Sequence, residues 1–192
     1  MPVSLPTARR WVHWQVRCWL LLGRQRQALE LITRALEVDP TDVQALATRA
    51  HVLAQRGEKS AALQALAHWV ALAPDHSAGW FNYGFLSEDM GLLAQAENAF
   101  QRAIALDPQF DRAWYGLALS LIRQRRFEEA IAALKKNTEL QPMSPYGWYQ
   151  LARVHVERQE PEEAAKIIRH LRRFEPKVAA QLERETGLCV AR

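Results

Sequence analysis

SAGWFNYGFLSEDMGLLAQAENAFQRAIALDPQF, residues 77–110, is the most informative stretch of this chain. Two segments free of β-branched runs, 77–90 and 93–105, flank Gly91. A glycine there ends the first segment as a helix in a left-handed cap. Pro108 cannot continue the second helix and punctuates the turn that follows it. The stretch therefore reads as a helical hairpin.

The same marks recur on both sides of it. Pro40, Pro74, Pro108, Pro142 and Pro176 stand 34 residues apart, and Ala28, Ala62, Ala96, Ala130 and Ala164 keep that interval. Self-similarity at this period marks a repeat architecture, in which stacked units bury a continuous core. Counted from Arg9, Val43, Ser77, Asp111 and Pro145, the alanine is residue 20 of each unit and the proline residue 32. The alanine column is expected where two helices cross closely, and a larger side chain there costs about 1–3 kcal/mol in overpacking. Position 24 is apolar throughout (Ile32, Leu66, Phe100, Leu134, Ile168), and position 8 is small in four units (Ala50, Gly84, Ala118, Ala152). Position 15 is Gly23, Gly57 and Gly91 in the first three units but Arg125 and Gln159 in the last two, so those turns are expected to be less ideal.

The first helix of each unit is expected over 10–22, 43–56, 77–90, 111–124 and 145–158, and the second over 25–37, 59–71, 93–105, 127–139 and 161–173. Pro145 and Pro161 fall in first turns, where proline is tolerated. A short helix from Pro176 to Glu185 is expected to cover the last unit with Val178 and Leu182, leaving Glu183, Arg184 and Glu185 in water and stopping at Gly187. The expected division is a tail at 1–8, five units at 9–42, 43–76, 77–110, 111–144 and 145–178, and a capping helix and tail at 179–192.

The pattern W-x2-L-G/A…A-x3-F…P resembles the tetratricopeptide repeat family over residues 9–178. Trp80, Gly84, Ala96, Phe100, Ala103 and Pro108 make the third unit nearly ideal, and Trp114, Leu117, Ala118, Ala130, Leu134 and Pro142 make the fourth almost as good. The first unit departs most, with Val12 and Gln15 in place of Trp and Leu, as terminal repeats do. The resemblance implies an all-α, right-handed α-solenoid of five helix–turn–helix repeats with a short C-terminal capping helix. It also implies a concave face, lined by the first helices, that binds a peptide or helix of a partner protein.

Positions 2, 5, 6 and 9 of each first helix share one stripe at helical spacing, away from the core columns. The candidate groove residues on it are His13, Trp14 and Arg17, then His51, then Phe81, Asn82 and Phe85, then Arg112, Tyr115 and Leu119, and last Tyr146, Tyr149 and Arg153. Aromatics interleaved with Arg are what protein interfaces enrich. Asn82 can hold a backbone amide through both donor and acceptor, and Arg112 and Arg153 can take carboxylates. Glu88 and Asp89 add negative charge one turn away. The family's two-carboxylate clamp for chaperone tails is incomplete: Asn82 and Arg112 fit its middle, while Ala47, His51 and Gly116 do not.

Composition narrows the function further. The net charge is +4, and basic residues are twenty Arg and only five Lys. The clusters Arg123, Arg125, Arg126 and Arg169, His170, Arg172, Arg173 sit at helix C-termini, where cations offset the helix dipole, so nucleic acid is a disfavoured partner. Cys18 and Cys189 stand at opposite ends, without metal-ligand spacing, and unpaired thiols fit a reducing, cytoplasmic setting. Trp11 to Leu22, preceded by Arg9 and Arg10, imitates a signal peptide. Arg17 interrupts the run, no small-x-small site follows, and it is too short to span a bilayer. It reads as the first helix, with Trp11, Trp14 and Trp19 leaving an interfacial contact open. No GxGxxG, P-loop, HExxH or GxSxG is present, and His155, at position 11, belongs to the core. No enzyme activity, cofactor, metal or catalytic residue is expected. The expected function is that of a protein–protein adaptor or scaffold, an assembly factor or chaperone for a complex. The alternatives are a self-associating scaffold and an accessory subunit of an enzyme or secretion complex.

Overall fold

The computed structural model describes residues 5–188. Its helices are α1 (Leu5–Leu21), α2 (Gln25–Val38), α3 (Val43–Gln55), α4 (Lys59–Leu72), α5 (Ser77–Asp89), α6 (Leu93–Leu106), α7 (Asp111–Arg123), α8 (Phe127–Leu140), α9 (Pro145–Glu157), α10 (Pro161–Arg172) and α11 (Pro176–Thr186). Among the described residues there is no strand. The fold is an all-α helical repeat. It divides into two compact units, one up to Leu86 and one from Ser87, with α5 running across the division.

In the first unit α1 packs on α2, α2 on α3 and α3 on α4. In the second, α6 packs on α7, and each helix packs on its successor down to α11, which also lies against α9. The alanine column explains this closeness: Ala28, Ala62, Ala96, Ala130 and Ala164 have 0% of their surface accessible. Position 24 (Ile32, Leu66, Phe100, Leu134, Ile168) is buried in all five repeats.

Large residues are matched by glycines in the following repeat. Phe100 lies against Gly116, where a Cβ would stand 2.6 Å from its ring. Trp69 covers Gly79, and the Asn137 side chain lies where a Cβ on Gly147 would be, 2.2 Å from its Oδ1. The last two pairs occupy the same positions, 27 and 3 of successive repeats. In the repeat between them both positions are alanine, Ala103 and Ala113, both buried. Interiors pack at crystal-like density, so volume added on one side must be removed from the other.

The turns inside the five hairpins are one structure. After α9, the Gln159 N–H donates to the Val156 carbonyl and the Glu160 N–H to the His155 carbonyl, both at 2.9 Å. This is the paired closure of a Schellman motif, which needs a left-handed residue at its centre. Gly23, Gly57 and Gly91 supply it with φ of 70°, 79° and 77°, and Arg125 and Gln159 adopt it at 59° and 60°. The non-glycine turns thus keep the geometry and carry its backbone strain. Between hairpins, the Trp80, Trp114 and Trp148 indole N–H groups each donate to the carbonyl of the proline six residues earlier, at 2.8, 3.0 and 2.9 Å.

Several sequence expectations need correction. α1 begins at Leu5 and not near residue 10, so residues 5–8 are helical where a tail is expected. In α11, Ala179 and Leu182 are buried while Val178 is half-buried. Glu183 does not simply face water, because it pairs with Arg172. Gly187 ends α11 at φ 70°. Cys18 is free and half-buried, and Cys189 lies outside the described residues.

Candidate functional site

First helices present a stripe because their other faces are spent on packing. In α7, Ala113, Leu117, Ala118 and Leu121 are buried, while Arg112 is exposed and Tyr115 and Leu119 are half-buried. In α9, Leu151, Ala152, Val154 and His155 are buried, while Tyr146 and Arg153 are exposed and Tyr149 is half-buried. Gly116, on the same stripe by spacing, is the exception: it is buried under Phe100.

In the first unit Trp14, Arg17, His51, Asn82 and Phe85 are exposed, and Phe81 is half-buried. Phe81 and Phe85, one helical turn apart, have ring centres 6.3 Å apart at 29°. His13 is placed differently. Its Nε2 donates to Asp42 Oδ2 at 2.9 Å, beside an Arg9 Nε bond of 2.7 Å to the same oxygen. Asp42 is buried, and its other oxygen accepts from the Ala45 N–H as the cap of α3. Burial pushes the Asp42 carboxyl up, but the Arg9 bond, the Ala45 bond and the His13 and Arg9 charges outweigh it, leaving it below the ordinary value. His13 is therefore a structural partner of a helix cap.

The second unit contains a more elaborate arrangement. The Tyr149 hydroxyl donates to Glu185 Oε2 at 2.5 Å, and the Arg153 guanidinium lies 5.8 Å from the Tyr149 ring centre. The hydrogen bond raises the phenol above its ordinary value and lowers the Glu185 carboxyl below its own. Arg153 stands between two open depressions. One, of about 400 Å³, is lined by Tyr149, Val156, Glu157, Glu185 and Thr186. The other, of about 370 Å³, is lined by Ile122, Arg125, Phe127, Gln150 and Val154 among others. Arg112 lies over the Phe110 ring at 5.2 Å.

Charges that look available in the sequence are largely engaged. Glu88 takes two bonds from Arg123, at its carbonyl (2.8 Å) and its carboxylate (2.6 Å). Arg126 is held by Glu97 and Glu129, both at 2.6 Å. His155 is buried, with its Nδ1 donating to Glu160 at 2.7 Å. Sequence reasoning misses Glu185 as part of the surface, since its meeting with Tyr149 across 36 residues depends on how α11 lies on α9. It also misses Phe127 and Ile122, which the position-counting stripe omits.

Two tetratricopeptide repeat family models match the chain, one over residues 20–80 and one over 88–142 and 117–179. Among solved structures, MamA from Desulfovibrio magneticus RS-1 is similar at 20% identity and a TM-score of 0.78, covering 92% of this chain and 95% of that one. YrrB, described as a TPR protein with an unusual peptide-binding site, is similar at 16% identity and a TM-score of 0.77, with 88% of each chain covered. PilW, described as a type IV pilus biogenesis factor, gives 22% identity and a TM-score of 0.72 over 92% of this chain and 89% of its own. At these identities the likeness is one of fold. Curated protein sequences contain no match.

Proposed function

The chain belongs to the tetratricopeptide repeat family, a protein-interaction scaffold, and from that premise we propose that it is an adaptor whose second unit holds a segment of another protein against α7 and α9. The observation that carries this reading is the exposed Arg153 between two depressions, with the Tyr149 ring beside it and Glu185 fixing the phenol. The ligand it suits is a short peptide or helix bearing a carboxylate flanked by apolar side chains. Arg153 pairs with the carboxylate. Tyr149, Tyr115 and Leu119 supply contact area, and pre-held aromatics lose little entropy on binding. Arg112 and the exposed Tyr146 extend the surface on the same helices. In the first unit His51, Phe81, Asn82 and Phe85 form a comparable stripe.

The test is affinity capture with the parent chain and with Tyr115→Ala and Arg153→Ala, followed by binding of a synthetic peptide from the captured protein. Both variants should lose at least about 1 kcal/mol, or fivefold, in affinity, as interface anchors do, with helicity unchanged. Equal binding by parent and variants removes the assignment of the site.

A further inference from the structure

The charge of this chain is concentrated at one end. Residues 1–29 contain Arg9, Arg10, Arg17, Arg24 and Arg26 and no Asp or Glu; the first acidic residue is Glu30. Beyond residue 29 there are twenty Lys and Arg against twenty-one Asp and Glu, so the first stretch carries +5 and the rest of the chain −1. Arg9 is bound to Asp42, Arg26 to Glu30, and Arg24 lies over the Trp19 ring. Arg10 and Arg17 are exposed on α1, with no carboxylate partner among the described residues.

Beside them lies a patch of exposed apolar surface. Trp11 and Trp14 are each 62% accessible, Leu21 87% and Leu22 68%. At 3.6 residues per turn, Arg10, Trp14, Arg17 and Leu21 form one row along α1, Trp11 and Cys18 lie on the next, and Leu22 follows in the turn after the helix. The opposite side of the helix is spent on the protein: Val16 is buried and His13 is bonded to Asp42. The proposed peptide site is built from other residues, on α7 and α9 of the second unit.

We propose that the exposed face of α1 docks on a lipid bilayer carrying anionic headgroups. Indole rings settle at the boundary between headgroups and acyl chains, with leucines beneath them. Arginines interleaved with these apolar side chains meet the negative surface, where each contributes about fivefold in affinity. The helix lies in the plane of the surface. It has seventeen residues with Arg17 inside it, and among the described residues no helix is long and apolar enough to cross a membrane. A second copy of α1 fits less well, because self-pairing sets the same unopposed charge against itself. A nucleic acid meets the arginines but offers nothing to Leu21 and Leu22. The proposal assigns Trp14 and Arg17 to lipid in place of a peptide ligand.

The experiment is co-sedimentation of the full chain with vesicles of phosphatidylcholine alone and of phosphatidylcholine mixed with phosphatidylglycerol, at low and high salt. The parent should bind the mixed vesicles, bind the neutral ones weakly, and release at high salt as the charges are screened. Trp11→Ala with Trp14→Ala should weaken binding at least about tenfold. Arg10→Gln with Arg17→Gln should weaken it about thirtyfold on mixed vesicles only. All four side chains are exposed, so urea midpoints should not move. Absence of binding, equal binding to both vesicle types, or binding that survives either double variant overturns the proposal. So does a parent dimer by light scattering that the tryptophan variant converts to a monomer, which makes a second copy the occupant.

Discussion

Gln159→Gly is expected to stabilise the protein, because Gln159 holds a left-handed conformation that a side chain resists. Its φ is 60° and its side chain is exposed. The two hydrogen bonds that close the turn are made by backbone atoms and survive the change. Removing the Cβ relieves about 1–2 kcal/mol of left-handed strain. Glycine gives back about 0.4–1 kcal/mol through the larger freedom of its unfolded chain. The net gain is about 0.5–1 kcal/mol, or about 1–4 °C in melting temperature for a chain of this size. Gly57→Ala is the mirror experiment. Gly57 has φ 79° in the same turn of the second repeat, and a Cβ there meets nothing within 4 Å, so its cost is conformational alone and should match in size. Urea unfolding followed by far-UV circular dichroism measures both. A Gln159→Gly midpoint equal to or below the parent's refutes the idea that strain is stored at these turns.

Gly147→Ala places a Cβ 2.2 Å from Asn137 Oδ1 and displaces a side chain whose Nδ2 donates to the Asp111 carbonyl at 2.9 Å. It should cost about 2–3 kcal/mol, and adding Asn137→Ala, which reproduces the Ala103–Ala113 pairing, should recover part of this in a double-mutant cycle. Trp114→Phe removes the indole bond to the Pro108 carbonyl and should cost about 1 kcal/mol by urea midpoint; no change means water replaces the indole without loss. The Asp42 carboxyl lies below its ordinary value when folded, so the native state binds fewer protons than the unfolded chain. Its contribution is complete above the ordinary carboxylate range and is lost as pH falls through the folded value. Arg9→Ala should therefore flatten the loss of stability below about pH 5, measured as urea midpoint against pH.

The hairpins are readable from one dimension. A residue type that returns every 34 positions must meet the same surroundings each time, so Ala28 to Ala164 announce a close helix crossing and Pro40 to Pro176 the turns between hairpins. The glycines in the turns are legible for the same reason, and the family resemblance rests on these columns. Recognition uses the other positions, which vary between repeats and carry no period, so counting can list exposed candidates such as Tyr149 and Arg153 without saying what else stands beside them.

Distance in the chain hides the remainder. Glu185 reaches Tyr149 only because α11 turns back onto α9, and Glu88 is engaged only because Arg123 comes across from the next repeat. His13 looks like a groove residue by position and proves to be the partner of a buried aspartate 29 residues away. The helix period dictates which side of a helix is spent on packing, whereas the partner of an individual charge depends on which helices are brought together. That is set by the summed fit of the whole stack, through pairs such as Asn137 with Gly147 and Phe100 with Gly116, and no local pattern encodes it.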